Sequence, residues 1–238
     1  GNMFRIPSTA TPYQIPTACW TAANTSVYVG GVAATDLAAS TTYWVYLFDL
    51  SGTPTADFRA SSTHTADSLT GIEIRTGDNT RVLIGMIRTN ASSQFEDDNT
   101  LRGVVSWNNR RVIGIVNNLT ADRTTTSTTY VEVNSEIRAN FVTWAEEAVF
   151  VGISGSVTIG AAADVFTSIG FDGTNKENAM HIWRPGTSAS DTGIGVSLVR
   201  NGLSEGFHYA TVLGAVASST GTWRGGTYTA NTTASSIV

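Results

Sequence analysis

The fold is decided by a stretch near the carboxyl end of the chain, Gly202-Leu-Ser-Glu-Gly-Phe-His-Tyr-Ala-Thr-Val-Leu-Gly-Ala-Val-Ala-Ser-Ser-Thr-Gly-Thr-Trp223. Its residues alternate at period two, which is the spacing of side chains on a β-strand. One face carries Phe207, Tyr209, Thr211, Leu213 and Ala215, and the other carries His208, Ala210, Val212 and Gly214. Both faces are largely apolar or small, which is typical of a strand covered on both sides. The pattern predicts a central strand of a β-sandwich over residues 206–217, ended by the polar segment 218–221.

Few charges and many small polar residues characterise the rest of the chain. Of its 238 residues, 41% are hydrophobic and only 14% are charged. Globular proteins usually have about a quarter of their residues charged. Here Thr, Ser, Gly, Ala and Asn take the place of the missing charges, and such residues suit strand faces and tight turns. The length is sufficient for one large β-domain or two ordinary ones.

The charge balance argues against nucleic acid as a partner. The net charge is −5 and the isoelectric point is about 5.1. Binding to a duplex requires a basic surface that releases counterions, and the chain has no basic cluster larger than Arg110-Arg111. We therefore expect no nucleic-acid partner.

A lone cysteine limits the possible disulfide and zinc sites, and an interrupted apolar run argues against a membrane span. Cys19 is the single cysteine, which excludes an intrachain disulfide and a cysteine-rich zinc site. We expect it to be a small buried thiol, with an intermolecular bridge as the alternative. The weakly charged run 148–163 contains three glycines and is too short and too polar to span a bilayer. It is interpreted as two strands, 148–153 and 156–159, and no membrane insertion is expected.

Strand and turn signals recur through the first half of the chain. The candidate strands are residues 26–29, 41–48, 55–61, 71–75, 80–88, 101–107 and 111–116. Turns are predicted at 49–52, 76–79 and 108–110, where Gly, Asp and Asn accumulate. This succession predicts a meander or sandwich.

A polar, threonine-rich segment over residues 117–129 separates this region from a second one. We place a domain boundary there, which gives domains 1–119 and 120–238. The second region has candidate strands at 130–134, 137–144, 148–153, 156–159, 166–171, 179–183, 195–200, 206–217 and 226–229. About eight strands suit a jelly roll or a comparable sandwich. The predicted fold class is all-β, with two β-sandwich domains, the second of them a jelly roll.

Catalytic motifs are not recognisable in this pattern. His64, His181 and His208 lie far apart, and none has a second histidine or a cysteine at metal-ligand spacing. For His208 we favour a buried, hydrogen-bonded role over a metal-binding or catalytic one. A serine-hydrolase elbow of the type Gly-x-Ser-x-Gly is missing, and so are the helices that it requires. The sequence predicts no catalytic residue, no metal site and no cofactor.

The carboxylates of the chain raise two other possibilities, glycan cleavage and calcium binding. Glycan cleavage requires two carboxylates across a groove, and Glu96-Asp97-Asp98 and Glu146-Glu147 supply acids without any sign that they face each other. For calcium, Asp172-Gly-Thr-Asn175 and Asp97-Asp-Asn99 offer oxygens, but neither resembles a full binding loop. We interpret both as turns.

The segment His181-Ile-Trp-Arg-Pro-Gly186 is the candidate ligand-binding site. An aromatic face such as that of Trp183 stacks on sugar rings, and Arg184 supplies forked donors to hydroxyls or carboxylates. His181 completes this set. The alternative is that Trp183 ends a core strand and Arg184 extends into solvent.

Two stretches carry a family resemblance. The first comprises Thr41-Thr-Tyr-Trp-Val-Tyr-Leu-Phe-Asp-Leu-Ser-Gly-Thr53, Thr70-Gly-Ile-Glu-Ile-Arg-Thr-Gly-Asp-Asn-Thr-Arg-Val-Leu-Ile-Gly-Met86 and Val105-Ser-Trp-Asn-Asn-Arg-Arg111. The second comprises Tyr130-Val-Glu-Val-Asn134, Phe141-Val-Thr-Trp-Ala-Glu-Glu147, Thr167-Ser-Ile-Gly-Phe-Asp-Gly173 and residues 202–223. Together they resemble the fibres and the head or tail spikes of tailed phages and of phage-like gene transfer agents.

The resemblance implies a virion appendage whose distal domain is similar to the trimeric jelly rolls of the complement and tumour-necrosis-factor type. It implies a homo-oligomer, with a trimer favoured, that contacts virion head or tail proteins and is located on the particle surface. It transfers no site residues.

Three functions remain in view. The leading hypothesis is a non-catalytic spike or fibre protein that binds a host cell-surface receptor, such as a capsular or other polysaccharide. The alternatives are a purely structural virion component and, with less support, a polysaccharide depolymerase.

Overall fold

Extended backbone dominates the computed structural model, which describes residues 3–8, 12–14, 24–185, 190–226 and 231–237. For residues 3, 4, 12–14 and 231–237 it describes the backbone alone. Within these ranges the helical structure is limited to the 3₁₀ turn Ser135–Ile137 and to Gly226, which is also in 3₁₀ conformation. The prediction of an all-β fold is confirmed. Cys19 and most of the predicted strand 226–229 lie outside the described residues.

In chain order the strands are β1 (Met3–Arg5), β2 (Pro12–Gln14), β3 (Val27–Val29), β4 (Val32–Thr35), β5 (Thr42–Leu50), β6 (Thr53–Arg59), β7 (His64–Ala66), β8 (Glu73–Arg75), β9 (Asp78–Arg88), β10 (Leu101–Arg102), β11 (Val104–Ser106), β12 (Gly114–Asn118), β13 (Arg123–Thr125), β14 (Val131–Glu132), β15 (Ala139–Thr143), β16 (Ala148–Ile159), β17 (Val165–Phe171), β18 (Lys176–Trp183), β19 (Asp191–Arg200), β20 (Gly206–Val216), β21 (Gly221–Trp223) and β22 (Asn231–Ile237). They belong to two units, one comprising Gly1–Glu96 and Gly103–Arg110, the other Asp97–Arg102 and Arg111–Val238.

The first unit is built on one eight-stranded sheet. Its order is β4-β3-β6-β5-β9-β8-β7, and β11 pairs with β9 as well. The β5–β6 hairpin turns at Ser51 and Gly52, which both have positive φ, and the Gly52 amide donates to Asp49 Oδ1 at 2.6 Å. The β8–β9 hairpin turns at Thr76 and Gly77. Both turns lie where the sequence predicts them.

A buried carboxylate holds three parts of this sheet together. Asp57 on β6 has no exposed surface. It accepts hydrogen bonds from Arg59 Nη2 and from Arg81 Nε on β9, both at 2.7 Å, and from the amide of Gly31 in the β3–β4 turn at 2.9 Å. A carboxylate loses its hydrogen bonds to water when it is buried, and these three donors replace them.

The second unit is a sandwich of two six-stranded sheets. The first sheet has the order β10-β15-β20-β17-β18, with β14 beside β20, and the second has the order β12-β22-β16-β21-β13, with β19 beside β16. One apolar core joins them and includes Phe141, Val151, Ile159, Ile169, Val196, Val212 and Trp223. The neighbour orders β15-β20-β17-β18 and β12-β22-β16-β19 are those of a jelly roll.

β20 is the central strand that the sequence predicts. It pairs with β15 and β14 on one side and with β17 on the other. Ala210 and Val212 belong to the sandwich core, whereas Thr211 and Leu213 on the opposite face have no exposed surface either. Both faces of the strand are therefore covered.

Three local predictions differ from the structure. Residues 148–159 form one strand rather than two, because Ser154 and Gly155 stay paired with β19 and do not turn. β13 lies in the polar segment 117–129, and β21 follows the segment that ends β20. These two short strands pair with each other, at Thr124 and Thr222. Their polar sequences become strands because a neighbouring backbone satisfies their hydrogen bonds.

The units also divide the chain elsewhere than at residue 119. β12 precedes that position, but it pairs along its whole length with β22. β10 pairs in parallel with β15, so Asp97–Arg102 belongs to the second unit.

Candidate ligand-binding face

β18 presents alternate side chains to opposite sides of its sheet. Burial alternates along its whole length, starting from exposed Lys176. Ala179 and Trp183 point inward and pack against the sandwich core. The intervening residues Met180 and Ile182 therefore point outward, and both are exposed.

The sequence-predicted residues His181, Trp183 and Arg184 meet at the end of β18, but they do not form one accessible surface. Trp183 is partly buried against the core. His181 is half-buried on the same inner side, and its Nδ1 atom is buried without a hydrogen-bond partner among the described residues. The Arg184 side chain is 67% exposed, and its Nε and Nη2 donate to the two carboxylate oxygens of Asp164 at 2.5 and 2.6 Å. This ion pair raises the pKa of Arg184. The arrangement matches the alternative in which Trp183 ends a core strand.

The outer side of β18 carries an aromatic cluster centred on Tyr130. The rings of Tyr130 and Phe166 meet edge to face, with centroids 6.5 Å apart. The Tyr130 hydroxyl donates weakly to Met180 Sδ at 4.0 Å. Lys176 Nζ lies 6.0 Å from the centroid of the Tyr130 ring. Partial burial raises the pKa of the Tyr130 hydroxyl, so it stays a neutral donor.

Cross-strand pairing extends this cluster. Phe166 on β17 pairs with Ile182 on β18, and Ile182 is 54% and Met180 38% exposed. Neighbouring exposed apolar side chains on an ordered sheet are typical of a recognition surface. We call this surface the Tyr130 face and define it as Tyr130, Phe166, Lys176, Met180 and Ile182.

A partly buried ion pair fixes the backbone next to Tyr130. β14 pairs with β20, and Glu132 on β14 accepts hydrogen bonds from Arg138 Nε and Nη2 at 2.6 and 2.7 Å and from Thr211 Oγ1 at 2.8 Å. Burial opposes ionisation of Glu132, but these hydrogen bonds and the charge of Arg138 outweigh it and lower the pKa. Arg138 also stacks on Tyr209, 4.2 Å from its ring centroid. Tyr130 therefore projects from a fixed position.

Sequence reasoning selected residues on β18 but not the outward residues of that strand. Met180 and Ile182 alternate with His181 and Trp183, so the sequence shows two faces without showing which one faces the core. The sequence does indicate that Phe166 on β17 points outward, because it alternates with the buried residues Val165 and Thr167. Tyr130 joins the cluster through pairing distant in sequence, which no local pattern reveals.

The other histidines are engaged in hydrogen bonds. His208 is buried, with Nδ1 2.5 Å from Asp172 Oδ2 and Nε2 2.8 Å from the Ser204 carbonyl oxygen. This is the hydrogen-bonded role that the sequence favours. In the first unit His64 contacts Glu73 Oε1 at 2.5 Å and packs edge-on against Trp107.

The carboxylates considered for catalysis or calcium have structural contacts. Asp98 accepts from the amides of Thr100 and Leu101 and stabilises a turn. Glu147 is buried 3.8 Å from Arg102. Over the part of the chain that the structure describes, no three His, Cys, Asp or Glu side chains are grouped so as to hold a metal ion.

No family model matches this chain, and no curated protein matches it significantly. Among the described residues, no helix has the length and apolar character of a membrane span.

Proposed function

We propose that this protein is a non-catalytic component of a tailed-phage or phage-like particle, and that its Tyr130 face binds a host cell-surface polysaccharide. The observation that carries the binding proposal is that exposed Met180 and Ile182 lie beside the half-buried ring of Tyr130. The C–H groups of a sugar ring pack against an aromatic face and aliphatic neighbours. The Tyr130 hydroxyl and the exposed amide of Asn178 supply polar contacts that orient such a ligand.

The assignment to a particle rests on the sequence resemblance, and the jelly-roll connectivity of the second unit supports it. A virion surface is the expected location. The receptor-binding role is preferred over a purely structural one because Met180 and Ile182 expose apolar surface on the Tyr130 face.

We also propose that the protein self-associates, with a trimer expected. The outer side of β16 and β19 has the cross-strand pairs Phe150–Val199, Gly152–Ser197 and Ser154–Gly195. Phe150 alternates with the core residues Val149 and Val151, and Val199 is 53% exposed. None of these paired residues is charged, so identical copies can pack here without like-charge repulsion. Sedimentation of the wild-type protein as a stable monomer at micromolar concentration would contradict this part of the proposal.

The test of binding is a panel of purified bacterial capsular polysaccharides, measured against the immobilised protein and against whole encapsulated cells. We expect the wild type to bind at least one member. Tyr130→Ala and Ile182→Asn should weaken that binding about tenfold or more, because truncating a central anchor residue costs about 1–2 kcal/mol. The matched control is Leu69→Asn, which removes a 93% exposed apolar side chain in the first unit.

Three outcomes would contradict the proposal. The first is that the wild type binds neither the polysaccharides nor the cells but is required for particle assembly, which would favour a structural component. The second is release of reducing sugar ends from a bound polysaccharide, which would indicate a depolymerase. The third is that Leu69→Asn and Tyr130→Ala weaken binding equally, which would place the site elsewhere.

A further inference from the structure

Most arginines of this protein form ion pairs with carboxylates. Among the described residues, ion pairs join Arg59 and Arg81 to Asp57, Arg75 to Asp78, Arg102 to Glu147, Arg123 to Glu136, Arg138 to Glu132, Arg184 to Asp164, Arg200 to Glu177, and Arg224 to Asp122 and Asp191. Few exposed positive charges lack such an ion pair among the described residues.

Lys176 is such a charge, and it is the only lysine of the chain. It is exposed at the start of β18, and its ammonium group lies 6.0 Å from the centroid of the Tyr130 ring. The nearby acids are engaged elsewhere. Glu177 points to the other side of the strand and lies 3.5 Å from Arg200, and Asp172 contacts His208. Neither of these carboxylates therefore forms an ion pair with the ammonium group of Lys176.

The position of this charge matters because the whole protein is acidic. With a net charge of −5, the chain repels polyanions at long range. An anion that binds here must be held by a local contact, and an ammonium next to an aromatic ring supplies it. The ring packs against the sugar, while the ammonium donates up to three hydrogen bonds to an acidic substituent.

We infer that the ligand of the Tyr130 face is an acidic polysaccharide, with Lys176 as the counter-ion of a carboxylate or phosphate on the sugar that stacks on Tyr130. This inference rests on the proposed function and adds the charge of the ligand to it. A single lysine can pair with one acidic group, which matches a glycan that carries one such group in each repeating unit. Nucleic acid would require several basic contacts along its backbone, and the Tyr130 face offers one.

The experiment uses capsular polysaccharides of three kinds, bearing uronic acids, bearing phosphodiesters, and neutral. Each uronic acid polymer is also measured after its carboxyl groups have been reduced to alcohols. The variants are Lys176→Met, which keeps the length of the side chain and removes the charge, and Lys176→Arg, which keeps the charge. Arg111→Met is the matched control, because it removes a charge from an exposed residue that is not part of the Tyr130 face.

We expect the wild type to bind an acidic member at least tenfold more tightly than its neutral or carboxyl-reduced counterpart. Lys176→Met should abolish this preference, Lys176→Arg should keep it within about threefold of wild type, and Arg111→Met should leave it unchanged. Uronic acid and phosphodiester polymers, measured side by side, identify which acidic group is bound. All variants should keep the thermal midpoint of the wild type.

The inference is overturned if neutral and acidic polymers bind equally, or if Lys176→Met keeps the acidic preference. Polysaccharide binding itself would survive either result, provided that Tyr130→Ala still weakens it. If the wild type binds no member of the panel, the proposed function fails and this inference fails with it.

Discussion

The indole ring of Trp223 lies directly against the backbone of Gly214. A Cβ atom placed on Gly214 would lie 2.4 Å from both Cη2 and Cζ2 of the ring. Trp223 has no exposed surface, and its Nε1 donates to Thr167 Oγ1 at 3.0 Å. The ring thus extends from β21 in one sheet of the sandwich to β20 and β17 in the other. Gly214 is the residue that leaves room for it.

Replacing Gly214 with alanine should destabilise the second unit. The added methyl group overlaps a large ring in a close-packed interior, and such overpacking costs about 1–3 kcal/mol. Urea denaturation should show a lower midpoint with an unchanged slope. Gly173→Ala is the control, because a Cβ there meets nothing within 4 Å. Equal midpoints for the two variants would contradict the packing described for Trp223.

The buried hydrogen bond between Trp223 and Thr167 should give a measurable coupling free energy in a double-mutant cycle. Trp223→Phe leaves the Thr167 hydroxyl unpaired, and Thr167→Val leaves the indole N–H unpaired. Each lone buried polar group costs about 1–3 kcal/mol in unfolding free energy. The double variant should therefore lose less stability than the sum of the single variants. Strict additivity would show that the hydrogen bond contributes nothing.

Neutralising Asp57 should destabilise the first unit strongly. In Asp57→Asn the guanidinium groups of Arg59 and Arg81 lose the carboxylate that both contact at 2.7 Å. Removing one partner of a buried ion pair costs about 3–5 kcal/mol. Asp191→Asn removes an exposed partner of Arg224 instead, and an exposed pair contributes about 0–1 kcal/mol. Chemical denaturation of both variants checks the contrast, and similar losses would contradict the buried role of Asp57.

The His208–Asp172 pair should make stability depend on pH at both ends of the range. Burial opposes the charge on His208, but hydrogen bonds to Asp172 and Ser204 and the charge of Asp172 raise its pKa above 6.5. The stabilisation from His208 is therefore complete below pH 6.5 and is lost as the pH rises through this raised value. Burial also opposes the charge on Asp172, but its hydrogen bonds lower its pKa below 3.8. Its contribution is present above pH 3.8 and is lost as the pH falls through the lowered value.

The variant Asp172→Asn isolates this effect. The difference in unfolding free energy between wild type and variant should be largest between pH 3.8 and 6.5 and should decrease on both sides. Urea titrations from about pH 3 to about pH 9 measure it. A difference that is constant with pH would show that the pair is not ionised in the folded protein.

The alternation of side chains along the sequence predicts where the strands lie better than it predicts which strands pair with each other. The two apolar faces of β20 were readable from residues 206–217, because each face repeats at period two. The parallel pairing of β10 with β15 was not readable, since it joins residues about forty positions apart through two backbone pairs. The residues of the Tyr130 face were equally hard to predict. Period two separates Met180 and Ile182 from His181 and Trp183, but only the packed core shows which pair points outward.

The most direct test of the Tyr130 face is the NMR spectrum of methyl-labelled methionine. Met180 lies in the face, whereas Met86 is fully buried in the first unit. Titration with the capsular polysaccharide that binds most tightly should shift or broaden the Met180 methyl signal and leave that of Met86 in place. An unchanged Met180 signal at saturation would contradict the account.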